Sequence, residues 1–118
     1  MDLGITGKKA IICASSKGLG KACALSLSKE GVEVFINGRN EATVLSTVDE
    51  IKKLTGNKVH GVVADITTEE GRKLLLDACP DADILVTNNA GPTPGKFLDW
   101  GREDYLQAFE SNMLAPVL

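Results

Sequence analysis

Residues 8–30, KKAIICASSKGLGKACALSLSKE, constrain the fold of this chain more than any other stretch. They open with the short apolar run Ala10–Ala14, whose length and β-branched content predict a buried strand. A loop of small residues follows, Ser15-Ser16-Lys17-Gly18-Leu19-Gly20. Leu19, Ala22, Cys23 and Leu27 then recur at helical spacing and predict a helix from about Gly20, with those residues on its apolar face. Strand, tight glycine loop and helix together aim backbone N–H groups and a helix N-terminus at a phosphate. Gly18-x-Gly20, preceded by the small Ala14, lets backbone approach a pyrophosphate closely. The same kind of turn also serves only to pack a helix on a sheet, so the rest of the chain has to decide.

The rest of the chain repeats the alternation. Glu33–Asn37 reads as a second strand, and Val44, Leu45, Val48, Ile51 and Thr55 trace a helix that stops at Gly56-Asn57. Val59–Ala64 is a third strand ended by Asp65. Thr67 or Thr68 caps a helix carrying Leu74, Leu75, Ala78 and Cys79, closed by Pro80. Ile84–Thr87 is a fourth strand, followed by Asn88-Asn89-Ala90-Gly91 and a Pro/Gly loop. A last helix from near Glu103 places Leu106, Phe109, Met113 and Val117 on one face, and Pro116 predicts a kink at Asn112. About four strands and four helices in this rhythm predict an α/β fold, with βαβ units in a Rossmann-type, doubly wound parallel sheet. Ligands of such sheets bind beyond the carboxyl ends of the strands. Here those ends are Ser15–Gly20, Asn37–Asn40, Asp65-Ile66 and Asn88–Gly91, and all four are small, polar or charged.

Composition narrows the function classes. The 118 residues suit one domain with a real core, at 43% hydrophobic content. A net charge of −3 argues against nucleic-acid or anionic-membrane binding, and no apolar run reaches the ~20 residues of a membrane span. The N-terminus lacks a signal-peptide pattern. Cys13, Cys23 and Cys79 are odd in number, scattered and set in apolar segments, so they read as buried reduced thiols of a cytoplasmic protein. His60 is the only histidine and reads as a structural strand residue; no metal site is expected.

Ala14-x-x-x-Gly18-x-Gly20, Asp65 after the third strand, Asn89-Ala90-Gly91 within NNAG, and Asn112 in the last helix together resemble the N-terminal half of a short-chain dehydrogenase/reductase. The resemblance implies nicotinamide dinucleotide binding. Where NAD-preferring relatives carry a carboxylate, this chain has Gly38 followed by Arg39, and Lys17 precedes Gly18. An arginine can pair with a 2′-phosphate that a carboxylate would repel, so the cofactor is expected to be NADP(H). Lys17 and Arg39 also read as ordinary solvated loop charges. By resemblance, Ser15, Ser16 and Leu19 contact the phosphates, and Asp65 and Ile66 bind adenine. Asn89, Ala90 and Gly91 wall the nicotinamide ribose, with Asn89 also tying neighbouring strands together, and Asn112 belongs to the catalytic group. Asp65 equally reads as a cap on the following helix.

The chain departs from the family pattern in two places. Cys13-Ala14 replaces the usual Thr-Gly, and alanine resists the positive φ that a glycine there accepts. No Tyr-x-x-x-Lys pair is present: Tyr105 is followed four places on by Phe109, so it reads as a packing residue. The apolar end Ala115-Pro116-Val117-Leu118 has no helix cap. The expectation is therefore that residues 1–118 form the cofactor half of a longer protein whose acid/base residues lie further along. That protein is expected to be a homo-oligomer, dimer or tetramer, reducing a small carbonyl substrate (or oxidising the alcohol) in the style of the 3-oxoacyl-acyl-carrier-protein reductases. The competing reading is a dinucleotide-binding sensor without catalysis, or an inactive fragment.

Overall fold

The structure is a computed structural model that describes residues 2–90 and 94–118. Strands β1 (Lys9–Ile12), β2 (Glu33–Gly38), β3 (Val59–Val63) and β4 (Ile84–Val86) form one sheet in the order β3-β2-β1-β4. Every pairing is parallel, with Ile12 opposite both Ile36 and Val86. Helices α1 (Gly18–Lys29), α2 (Glu41–Thr55) and α3 (Glu69–Ala78) connect the strands. The chain moves outward from β1 to β3 and returns to the other side of β1 with β4, so the strand order reverses between β1 and β4.

Both faces of the central strands β1 and β2 are covered, which is why β1 reads as an unbroken apolar run. Ala10 and Ile12 face one way and join Ala24 of α1 and Val44, Val48 and Ile51 of α2. Ile11 and the adjacent Cys13 face the other way, packing with Phe35, Ile66, Leu75 and Cys79 on the α3 side.

The helix α1 differs from expectation in start and in face. It begins at Gly18 rather than Gly20 and buries Gly20, Ala24 and Ser28, while Leu19 is 82% exposed and Ala22 and Cys23 face outward. The cause is close approach: α1 lies against the sheet through its smallest residues, and its leucines Leu25 and Leu27 pack, partly buried, against the core at its flanks. Ser28 tolerates burial because its hydroxyl pairs with that of Thr55 at 2.8 Å. Cys23 is therefore exposed, contrary to the reading of three buried thiols, whereas Cys13 and Cys79 are buried. Burial pushes both of those thiols above their ordinary pKa.

Other boundaries sharpen. Asn40 caps α2 by accepting from the Thr43 N–H at 3.0 Å, and Thr68, not Thr67, caps α3 by accepting from the Gly71 N–H at 2.9 Å. The buried face of α3 is Gly71, Leu75 and Cys79, with Leu74 and Ala78 outward. His60 stacks on Phe35, ring centroids 4.7 Å apart, and meets the Glu33 carboxylate at 2.8 Å.

The predicted last helix is three pieces: α4 (Arg102–Phe109), a π-helical turn (Glu110–Leu114) and the short α5 (Ala115–Val117). Instead of a simple kink at Asn112, the helix widens, and the Ala115 N–H bonds the Glu110 carbonyl five residues back. Pro116 lacks an N–H and crowds the carbonyl four residues before it, and a wider turn relieves that crowding. Leu106, Phe109, Met113 and Val117 are exposed, so the predicted apolar face is uncovered among the described residues. No helix among the described residues is long and apolar enough to cross a membrane.

Candidate functional site

A cleft of about 380 Å³ opens at the carboxyl ends of all four strands, beside the point where the strand order reverses. Its floor is the turn after β1. Ala14 there has φ +47°, the one non-glycine residue with positive φ among the described residues. For an L-residue that conformation is strained by roughly 1–2 kcal/mol. Four contacts hold the turn. The Ala14 N–H donates to Asn37 Oδ1 at 3.1 Å, and Asn88 Nδ2 donates to the Ala14 carbonyl at 3.2 Å. The Ser15 N–H donates to the Asn37 carbonyl at 2.7 Å, and Thr47 Oγ1 donates to the Ser16 carbonyl at 2.6 Å.

These bonds leave the start of α1 open. Its N-cap is Lys17, which gives no side-chain cap, whereas α2 and α3 are capped by Asn40 and Thr68. The first-turn N–H groups of a helix have no helical acceptor. Here Lys17, Gly18 and Leu19 line the cleft, so the positive end of α1 is presented to it. Gly20 makes this possible: a Cβ there would collide with the Ala14 carbonyl oxygen and stand 2.8 Å from Ser15 Cα.

Ser15 does not line the cleft. It is fully buried, its hydroxyl donates to the Ile12 carbonyl at 2.7 Å and accepts from the Asn37 N–H at 2.9 Å, and its own N–H is taken by Asn37. The phosphate contact expected of Ser15 is thus corrected to a bracing role between β1 and β2. Ser16 and Leu19 do line the cleft.

The end of β2 supplies the charge. A Cβ on Gly38 would stand 2.9 Å from Ser16 Oγ and 2.9 Å from Val44 Cγ2, so a side chain at this position requires Ser16 and Val44 to shift. Arg39 and Lys17 line the same cleft, are exposed, and enter no ion pair among the described residues. At the end of β3, Asp65 Oδ1 accepts from the Thr67 hydroxyl at 2.6 Å and the Thr67 N–H at 2.9 Å. These bonds, with the nearby Arg39 charge, hold the Asp65 carboxyl below its ordinary pKa of 3.8 against a smaller effect of burial. Asp65 shapes the turn into α3 rather than capping it. Ile66 is buried and lines the wall beside it.

Asn89 and Ala90 line the far wall from the end of β4; Gly91 lies outside the described residues. Asn89 Nδ2 donates to the Ser111 carbonyl at 3.1 Å. Asn112 does not line the cleft, but its amide donates to the carbonyls of Ala90 at 3.2 Å and Ala108 at 3.1 Å. The two asparagines thereby fasten the π-helical turn to the strand end. Thr43 and Ala64 line the site, and Thr47 braces it through the Ser16 carbonyl, without having been singled out in the sequence. For Thr47 a signal existed: it is a polar residue within the buried stripe of Val44, Val48 and Ile51.

Comparison with known proteins agrees with this geometry. Residues 8–118 match the short chain dehydrogenase family. The chain is 39% identical to the uncharacterized oxidoreductase YvaG of Bacillus subtilis, over 99% of this chain and 45% of that protein. It is 30% identical to the 3-oxoacyl-[acyl-carrier-protein] reductase FabG of Aquifex aeolicus, over 100% of this chain and 49% of that protein. Among solved structures, L-sorbose reductase from Gluconobacter frateurii, complexed with NADPH and L-sorbose, superposes with a TM-score of 0.89 at 30% identity. That match covers 99% of this chain and 46% of the reductase. The chain thus spans about half the length of the relatives it matches. With its parallel sheet, its open helix start and its match across residues 8–118, the chain belongs to the short-chain dehydrogenase family.

Proposed function

We propose that this chain is the cofactor-binding half of an NADP(H)-dependent oxidoreductase that reduces a small carbonyl compound. The observation that carries the reading is the end of β2, where Gly38 puts no carboxylate into the cleft that Arg39 and Lys17 line. The residues present fit a phosphate-bearing dinucleotide: the uncapped start of α1 suits the pyrophosphate, and Asp65 and Ile66 suit the adenine. Among relatives of similar fold, L-sorbose reductase was solved with NADPH and 7α-hydroxysteroid dehydrogenase with NADH, so the choice of the 2′-phosphorylated form rests on Gly38, Arg39 and Lys17. The bound nicotinamide would supply the hydride.

The chain's own residues bind and orient. In this reading Arg39 and Lys17 neutralise the 2′-phosphate, the N–H groups of Gly18 and Leu19 face the pyrophosphate, and Asn89 and Ala90 set the wall beside the nicotinamide ribose. Asn112, held by Ala90 and Ala108, belongs to the proton-handling group. No Tyr-x-x-x-Lys pair occurs in residues 1–118, so the acid/base and the substrate pocket are assigned to sequence beyond them.

Titration of the full-length protein with NADPH and NADH, followed by nicotinamide fluorescence, tests the reading. NADPH is expected to bind more tightly. Losing the charge-assisted pair in Arg39→Asp should remove about 1.5–3 kcal/mol of NADPH binding and shift preference toward NADH. Equal affinities in the parent protein would overturn the assignment.

A further inference from the structure

Asn37 is 2% exposed and lies one residue before the end of β2, lining the cleft. Its carboxamide touches two other strand ends at once. Oδ1 accepts from the strained Ala14 N–H at 3.1 Å, and Nδ2 donates to the carbonyls of Val62 at 3.2 Å and Ala64 at 3.1 Å. The orientation of the amide is dictated by these partners: an N–H can only donate and a carbonyl can only accept, so a flipped amide would lose all three bonds. Its main chain is spent as well, exchanging bonds with the Ser15 hydroxyl and Ser15 N–H. No other side-chain type of this length offers one acceptor and two donors in this arrangement.

We propose that Asn37 is a positioning residue for the dinucleotide, setting the spacing between the β1 turn and the β3 end that must grip one ligand together. The inference rests on the reading of the cleft as a dinucleotide site. The β1 turn carries Ala14 at φ +47°, a conformation alanine does not hold unaided, and its amide N–H is the group Asn37 captures. The Ala64 carbonyl that Asn37 holds immediately precedes Asp65 and Ile66 on the adenine side of the cleft. A ligand spanning both ends gains from having them preset, whereas a ligand touching one end does not. Asn37 therefore contributes to binding without facing the chemistry.

The test uses the full-length protein with Asn37→Asp, which keeps the shape and the acceptor but presents a carboxylate to two carbonyls. Asn37→Ser, short and neutral, is the second variant should the first fail to fold. Each is made with and without Ala14→Gly, and circular dichroism at the temperature of titration verifies the fold. NADPH affinity is expected to fall about tenfold or more, while that for adenosine, which lacks the phosphates that Lys17 and the start of α1 would meet, falls several-fold less. Ala14→Gly should restore part of the loss, because glycine adopts positive φ without a clamp. A folded variant with unchanged NADPH affinity, an equal loss for both ligands, or no rescue by Ala14→Gly would each overturn the proposal. A parent protein that binds neither NADPH nor NADH overturns the dinucleotide reading itself, and this inference with it.

Discussion

Gly20 packs its α-carbon so tightly against the carbonyl of Ala14 that no side chain can be placed on it. The contact sets how close the start of α1 comes to the end of β1. It explains why α1 turns Gly20, Ala24 and Ser28 toward the sheet and leaves Leu19 exposed beside the cleft.

The first expectation concerns that contact. Gly20→Ala adds a methyl group that meets the Ala14 carbonyl, Ser15 Cα and the Asn88 amide nitrogen. Overpacking of this kind destabilises by about 1–3 kcal/mol. Helix propensity alone would stabilise the same substitution by roughly 1 kcal/mol, so the two effects differ in sign. Denaturant unfolding decides between them; a more stable Gly20→Ala protein would mean that the contact yields without strain.

Ala14 itself gives the opposite expectation. At φ +47° the alanine stores roughly 1–2 kcal/mol of strain, while glycine adds about 0.5–1 kcal/mol of unfolded-state entropy. Ala14→Gly should therefore stabilise the protein by up to about 1 kcal/mol and leave NADPH affinity equal or higher. A clear loss of stability in the same unfolding measurement would show that the Ala14 methyl group packs favourably enough to outweigh its backbone.

Asp65 gives a pH dependence. Its folded-state pKa lies below the ordinary 3.8, first because of the Thr67 hydroxyl and with help from the Thr67 N–H and Arg39. A depressed carboxyl stabilises the fold above its unfolded pKa, and the contribution is lost as pH falls through the folded value. Asp65→Asn can still accept from Thr67 through its amide oxygen but cannot titrate. The variant should match the parent within about 1 kcal/mol near neutrality, because Asp65 is only partly buried and its pairing with Thr67 survives, and lose less stability on acidification below about pH 4. Parallel acid limbs for the two proteins in urea unfolding would remove Asp65 from the account.

Pro116 tests the link from helix geometry to chemistry. In Pro116→Ala the residue regains an N–H, and a regular helix would aim it at the Asn112 carbonyl. The π-helical turn at Glu110–Leu114 should then relax toward α geometry and pull Asn112 from its bond to Ala90. The expected result is lower turnover in the full-length enzyme with NADPH affinity nearly unchanged. Unaltered turnover, measured where chemistry is rate-limiting, would make the proline a packing detail.

The alternation of apolar runs and helical stripes determined the parallel α/β sheet, because strands covered on both faces must be apolar at consecutive positions such as Ala10–Cys13. The same local signals placed Lys17, Gly18, Arg39, Asp65 and Asn89 at strand ends, where a sheet of this kind binds its ligand. The face of α2 was legible, since Val44, Val48 and Ile51 are buried as their spacing predicts, whereas the face α1 buries was decided by tertiary approach. Gly20 against Ala14 rotated α1 away from its hydrophobic pattern, and the same close approach left Cys23 in solvent. The roles of individual polar residues also needed three dimensions. Ser15 looks like a loop hydroxyl in the sequence, yet Asn37 and Ile12 consume every polar group it offers except its carbonyl. Asn37, within a strand, gives no sign that it spans three strand ends. Hydrogen-bond partners 22 to 27 residues apart are brought together only by the crossovers of the sheet, so local pattern carries no record of them.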